Sequence, residues 1–131
     1  MPFQLDEKFI LQTEEKIGVK FPMSFREKMI KENGGEIETD EDVWTLYPFF
    51  DNSDKKRIKR TINDIIRETE QARSWEDFPK EVVAIGSNGG GDQLVFIIQS
   101  DNPIQLDNKV YWWDHETGDL NAVADDFAEL I

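Results

Sequence analysis

The pattern of apolar residues changes once along this 131-residue chain, and that change most constrains the fold. Before Ala72, apolar side chains recur at every third or fourth residue, as they do in amphipathic helices. After Val82, short runs of β-branched and aromatic residues alternate with turn-forming residues, which indicates strands. This order predicts an α+β fold: a single compact domain, spanning residues 1–131, with a mostly antiparallel sheet flanked by helices.

The periodicity predicts three main helices in the first part of the chain. The first covers residues 6–17 and ends at Gly18; the second begins at Pro22 and ends at Asn33. The third is expected to run without a break over residues 55–72. We expect strands at 36–38, 43–47, 82–85, 94–98 and 110–113, and a short final helix at 125–130.

Glycines mark the predicted turns of this fold. Gly34 and Gly35 follow the second helix, where a left-handed cap is common. Gly89, Gly90, Gly91 and Asp92 belong to the loop between two predicted strands. Because a phosphate loop needs a Lys and a helix after its glycines, the acid and the strand found here indicate a tight structural turn instead.

The charge balance excludes several classes of function. With 28 acidic and 15 basic residues, the chain carries a net charge of −13, the opposite sign to that of nucleic-acid and anionic-membrane binders. The chain has no Cys, which excludes disulfides, thiol nucleophiles and Cys-based metal sites. We expect neither a signal peptide nor a membrane span, and therefore a cytoplasmic location.

An acidic segment beside two aromatic residues is the main candidate for partner binding. Two interpretations remain open: a solvated loop, or a charged patch with aromatic anchors that receives a basic protein partner. We also take Tyr111 as a candidate, because strand 110–113 is aromatic on both faces; Trp112 is expected to be core and Tyr111 partly exposed. The candidate residues are Glu36, Glu38, Asp40, Glu41, Asp42, Trp44, Tyr47 and Tyr111.

We find no motif for catalysis, a cofactor or a metal. His115 is the only His, and it lies in a sequence typical of a hairpin turn rather than of a triad or a metal site. The basic run at 55–60 is interpreted as a solvated helix face, with binding as the alternative. We therefore expect no enzyme activity.

Three segments together resemble the SUKH superfamily, which includes the yeast cell-wall assembly regulator and many bacterial immunity proteins. They are residues 17–27 (IGVKFPMSFRE) with the Asn-Gly-Gly at 33–35, residues 85–92 (IGSNGGGD), and residues 110–119 (VYWWDHETGD) with 123–127 (VADDF). Their order and spacing extend the resemblance over nearly the whole chain.

The resemblance implies a compact α+β fold, no catalysis and a role in bacterial immunity. A protein of that kind binds and blocks a toxin made by the same cell, often a nuclease, and is expected to be encoded beside it. The alternative is a small non-catalytic regulatory or scaffold module. Contact residues cannot be carried over by motif, because toxin-binding surfaces differ between members.

Overall fold

The computed structural model describes residues 3–40 and 42–131 and shows an α+β fold. Among the described helices, none combines the length and the apolar character needed to cross a membrane. The elements follow in the order α1 (Glu7–Ile17), α2 (Met23–Lys31), β1 (Glu36–Glu38), β2 (Val43–Leu46), α3 (Lys55–Arg60), α4 (Ile65–Ala72), β3 (Val82–Ser87), β4 (Gln93–Ile98), β5 (Leu106–Trp113), β6 (Leu120–Ala124) and a terminal 3₁₀ helix (Phe127–Leu130).

The six strands form one sheet in which every neighbouring pair is antiparallel. The strand order in space is the chain order, β1 to β6, so each strand returns beside the previous one. Strands β3 and β4 are almost entirely buried, as expected for the middle of a sheet that is covered on both faces. Strands β1 and β6 lie at the two ends of the order.

The first two helices are fixed by local capping and by aromatic packing. Asp6 caps α1 by accepting a hydrogen bond from the Lys8 amide, and Gly18 ends it at φ 83°, in the left-handed region. Phe25 of α2 packs edge-to-face on Phe96 of β4 and on Phe127, with ring centroids 5.3 Å and 4.9 Å apart. These rings join the helices to the sheet in one apolar core.

The single helix that the periodicity predicts over 55–72 is wrong: α3 ends at Arg60 and α4 begins at Ile65. The Thr61 hydroxyl donates to the Arg57 carbonyl oxygen at the end of α3, and the Asp64 carboxylate accepts from the Arg67 amide at the start of α4. Because of this break, the orientation of α4 does not follow from that of α3. Ile65 is therefore buried, whereas Ile58 and Ile62, which lie upstream in the predicted helix, are exposed.

Thr69 links α4 to the sheet at a point where the pairing of strands β3 and β4 is irregular. The register between β3 and β4 shifts between Ala84 and Gly86. There, the Thr69 hydroxyl oxygen accepts a hydrogen bond from the Ala84 amide at 3.0 Å, in a fully buried setting. The helix thus satisfies a backbone group that a buried bulge would otherwise leave unpaired.

The prediction that Trp112 is a core residue is wrong in part, because Trp112 is only half-buried and Trp113 is the buried neighbour. The connector after α4 covers Trp113: Phe78 packs edge-to-face at 5.0 Å and Trp75 stacks at 5.8 Å. Trp112 points to the other side of β5, where it packs edge-to-face on Trp44 at 5.5 Å.

Candidate functional site

An open groove of about 690 Å³ is lined by residues from both edges of the sheet. The end of β1 and the residues after it line one side, and β6 with the terminal 3₁₀ helix lines the other. Since β1 and β6 are at opposite ends of the strand order, the sheet must curl to bring both to one groove. The lining residues are Glu38, Thr39, Asp40, Trp112, Asp114, Asn121, Ala122, Val123, Ala124, Glu129 and Leu130.

Acidic and apolar residues line this groove together. The half-buried side chains of Trp112, Val123 and Leu130 supply the apolar part. Four acidic residues line the same groove, whereas none of the described lining residues is Lys or Arg: Glu38, Asp40, Asp114 and Glu129. Apolar surface combined with charges of one sign is suited to a protein partner of the opposite charge.

Two of the four groove carboxylates are oriented by backbone groups. The Asp114 carboxylate accepts a hydrogen bond from the Glu116 amide at 2.9 Å. The Glu129 carboxylate accepts one from the Asp125 amide at 3.3 Å. These contacts hold the two side chains near the groove before any partner arrives, which lowers the entropy cost of binding.

The structure separates the acidic residues that the sequence grouped together. Glu38 and Asp40 line the groove, whereas Glu36 is exposed on β1 and is not one of the lining residues. Asp42 holds a turn, because its carboxylate accepts a hydrogen bond from the Asn88 side chain at 2.9 Å. Glu41 lies outside the described residues.

The proposed aromatic anchors are placed differently from what an interface would need. Trp44 is 0% exposed and Tyr47 is 8% exposed, so both belong to the core. The Tyr47 hydroxyl donates to the Gln93 side-chain oxygen at 2.7 Å, and burial raises its pKa despite that bond. Tyr111 is half-buried and is not one of the groove-lining residues. Trp112 supplies the aromatic surface of the groove instead.

The glycine-rich loop forms the turn between β3 and β4. Gly89 and Gly91 have φ values of 82° and 105°, which favour glycine. Gly90, between them, has its amide bonded to the Asn88 side chain at 2.9 Å. After the second helix, Gly34 and Gly35 also have positive φ values, 109° and 86°. These positions give the chain its sharp changes of direction.

Asp92, at the end of the glycine-rich loop, pairs with His115 in the turn between β5 and β6. One carboxylate oxygen of Asp92 accepts from the His115 amide at 3.0 Å and contacts Nδ1 of the ring at 2.5 Å. The hydrogen bond to Asp92 is the main cause that raises the pKa of His115. Partial burial alone would raise the pKa of Asp92, but hydrogen bonds from His115 and Asn88 outweigh it and lower that pKa.

The same two residues form, with Asp114, a cluster whose potential ligand atoms lie within 4.8 Å of one another. The spacing of these atoms is compatible with a metal ion. Within the described part of the chain, no other group of three or more such residues has this spacing. However, Nδ1 of His115 is already engaged by Asp92, so a cation bound at that nitrogen would have to replace this hydrogen bond. The geometry is that of an ion pair joining two turns.

Of the residues that line the groove, only Glu38 and Asp40 are among the candidates that the sequence suggests; Trp112, Asp114 and Glu129 are not. In the sequence, Asp114 directly precedes His115 in the predicted hairpin turn, and Glu129 lies in the predicted final helix. Alternation along β5 carried a usable signal, because Trp112 and Trp113 must face opposite sides. Nothing in the local sequence shows that Glu38 and Glu129 meet across one groove, because that depends on the curl of the whole sheet.

The comparison with protein families agrees with the resemblance in the sequence. A comparison with curated proteins gives no match. The family model described as "SMI1 / KNR4 family (SUKH-1)" matches residues 4–131, which is nearly the entire chain. The match covers the helical part, the glycine-rich loop and the acidic groove alike. The chain therefore belongs to the SMI1 / KNR4 family (SUKH-1).

Proposed function

We propose that this protein is an immunity protein that binds and neutralises a toxin made by the same bacterial cell. Family membership fits an immunity or regulatory module whose partner is another protein. The single observation that carries the finer proposal is the groove, which four acidic residues line together with apolar side chains and without a Lys or Arg among its described lining residues. The proposed mechanism is binding and steric blocking, with no catalytic step.

The sign of the charge favours a toxin with a basic surface, and we propose a nuclease. A nuclease cleft attracts phosphates with Lys and Arg side chains, so an acidic protein of net charge −13 is attracted to the same surface. The groove carboxylates would pair with these cations, while Trp112 and Leu130 exclude water from the centre of the contact. Covering the cleft would then block access of the nucleic acid.

The family also fits a regulatory module, and the two functions differ in what the partner does. An immunity protein keeps its own cell alive, so it acts where the toxin is made, which we propose is the cytoplasm. A regulatory module would bind its partner without abolishing a toxic activity. The partner's activity in the bound state therefore separates the two functions.

The experiment is co-expression with the toxin domain encoded by the adjacent gene. We expect growth to be rescued, and the purified toxin to lose its nuclease activity at one equivalent of this protein. The groove variant Glu38→Gln, Asp40→Asn, Glu129→Gln should bind at least tenfold more weakly, because it loses three charges that face the toxin. Gln at position 129 keeps an oxygen that accepts the Asp125 amide.

A matched control removes three exposed carboxylates from the helices: Glu15→Gln, Glu27→Gln, Glu70→Gln. It has the same net charge as the groove variant, so a general charge effect would weaken both equally. Complex formation without loss of toxic activity would contradict the immunity function. Full inhibition by the groove variant, with unchanged affinity, would contradict the assignment of the groove.

A further inference from the structure

A second cavity, of about 390 Å³, lies on the opposite side of strand β5 from the acidic groove. Trp113 lines this cavity and Trp112 lines the groove, and consecutive residues of a strand point to opposite faces. We call it the tryptophan notch; its lining residues are Trp75, Glu76, Asp77, Gly91, Trp113 and His115. The proposed function does not use it.

The indole ring of Trp75 forms a wall of the notch; it packs on other aromatic rings and is partly exposed to solvent. Trp75 is 42% exposed, although it stacks on the buried ring of Trp113 at 5.8 Å with an interplanar angle of 21°. Phe78 supports the same ring edge-on, with centroids 6.0 Å apart. The indole N–H of Trp113 donates to the Asp77 carbonyl oxygen at 3.3 Å, which ties the connector to the sheet. Trp75 is therefore held by packing and still presents surface to a ligand.

The charge of the notch is negative. Glu76 and Asp77 are exposed beside Trp75, and none of the described lining residues is Lys or Arg. His115 is the one lining residue that can carry a positive charge, and Asp92 neutralises that charge through their direct contact. A cationic ligand can pair with these carboxylates, whereas an apolar ligand cannot.

We propose that the tryptophan notch binds an arginine side chain of a protein partner. A guanidinium group is planar and can stack on the face of an indole while donating paired hydrogen bonds to a neighbouring carboxylate. The notch offers that face on Trp75 and those carboxylates on Glu76 and Asp77. The proposal extends beyond the acidic groove, and it holds for any basic partner, whether or not that partner is a nuclease toxin.

The test is an NMR titration of the isolated protein with Nα-acetyl-arginine-N-methylamide, followed at the indole N–H signals of Trp75 and Trp113; the Trp113 signal reports on binding in variants that lack Trp75. We expect a saturable shift at millimolar concentrations, and none with the matched citrulline compound, which has the same shape without the charge. A cation–π contact at an exposed site contributes ~0.5–1 kcal/mol, so Trp75→Leu should weaken binding about two- to fivefold.

The double variant Glu76→Gln, Asp77→Asn provides an independent check, because it leaves the Trp75–Trp113 pair and the Asp77 backbone contact in place. It should also weaken binding at least twofold, whereas the distant control Glu15→Gln should not. Equal shifts with the citrulline compound, or unchanged affinity in the double variant, would overturn the proposal. Since no toxin is present in the titration, its result is separate from that of the co-expression experiment.

Discussion

Asp92 shows how one residue connects two turns of this fold. It follows the glycine-rich loop, and its carboxylate contacts both the amide and the ring of His115 in the turn after β5. The side chain of Asn88 donates to the other carboxylate oxygen at 3.2 Å. Asp92 thus joins segments that are 23 residues apart in sequence, which explains a structural need for an acid directly after the glycines.

Replacing Asp92 with Asn should lower the pKa of His115 toward ~6.5, its value in a solvated peptide. The hydrogen bond to Asp92 is the main cause of the raised pKa in the native protein, and Asn carries no charge to stabilise the imidazolium. An NMR titration of the ring protons gives this pKa directly. Since His115 is the only His in the chain, its signals need no further assignment.

The pair should also make stability depend on pH. The raised pKa of His115 means that its contribution is complete below ~6.5 and is lost as the pH rises through the folded value. The lowered pKa of Asp92 means that its contribution is present above ~3.9 and is lost as the pH falls through the folded value. The stability difference between wild type and Asp92→Asn should therefore be largest between those limits. A difference that stays constant from pH 4 to 9 would contradict this account.

At the scale of elements, strand β5 separates the two candidate binding features. Its Trp112 is half-buried in the acidic groove, and its Trp113 is 2% exposed beneath the connector after α4. The strand lies between β4 and β6, so its backbone is paired on both sides. The aromatic residues at its end therefore have different neighbours although they are adjacent in sequence.

Truncating the two tryptophans should have unequal effects on folding. Trp113→Ala removes a buried side chain and its contacts with Phe78 and Trp75, and should cost about 3–5 kcal/mol of unfolding free energy. Trp112→Ala should cost about 1–3 kcal/mol, because part of that side chain is already in water. Urea denaturation of both variants gives the two values. The reverse order would show that the faces of β5 are wrongly assigned.

The predictions from sequence succeed where the local pattern determines the structure and are wrong where packing does. Helical periodicity identified α1 and α2, and β-branched runs identified β3, β4 and β5, because each carries its own signal. The isoleucine spacing over 55–72 suggested one helix, and the break was missed although Asp64 is a good N-cap. Trp44 was taken for a surface anchor, but Thr45 beside it points outward and Trp44 inward.

For a similar reason, the sequence predicts only two of the four acidic residues that line the groove. Glu38 and Asp40 belong to a dense acidic run, which composition alone reveals. Asp114 and Glu129 reach the same place because the sheet curls and because the 3₁₀ helix follows β6. The curl of the sheet and the path of the chain after β6 are properties of the whole fold, so no short segment of the sequence predicts them.

At the scale of the whole molecule, charge and shape point to the same kind of partner. The net charge of −13 attracts any cationic protein over a long distance, whereas the groove offers a specific place for contact. Steering by the overall charge and pairing in the groove have different kinetic signatures. The first acts on association in proportion to net charge, and the second depends on where the charges lie.

The central claim, that the groove receives a basic toxin, is tested most directly by association rates measured by stopped flow with the co-expressed toxin domain. The reversal variant Glu38→Lys, Asp40→Lys, Glu129→Lys is compared with Glu15→Lys, Glu27→Lys, Glu70→Lys, which changes the net charge equally. We predict that the groove variant associates at least tenfold more slowly than the control at low salt, and that wild-type association slows as salt rises. Equal rates for the two variants, or a wild-type rate independent of salt, would contradict the claim.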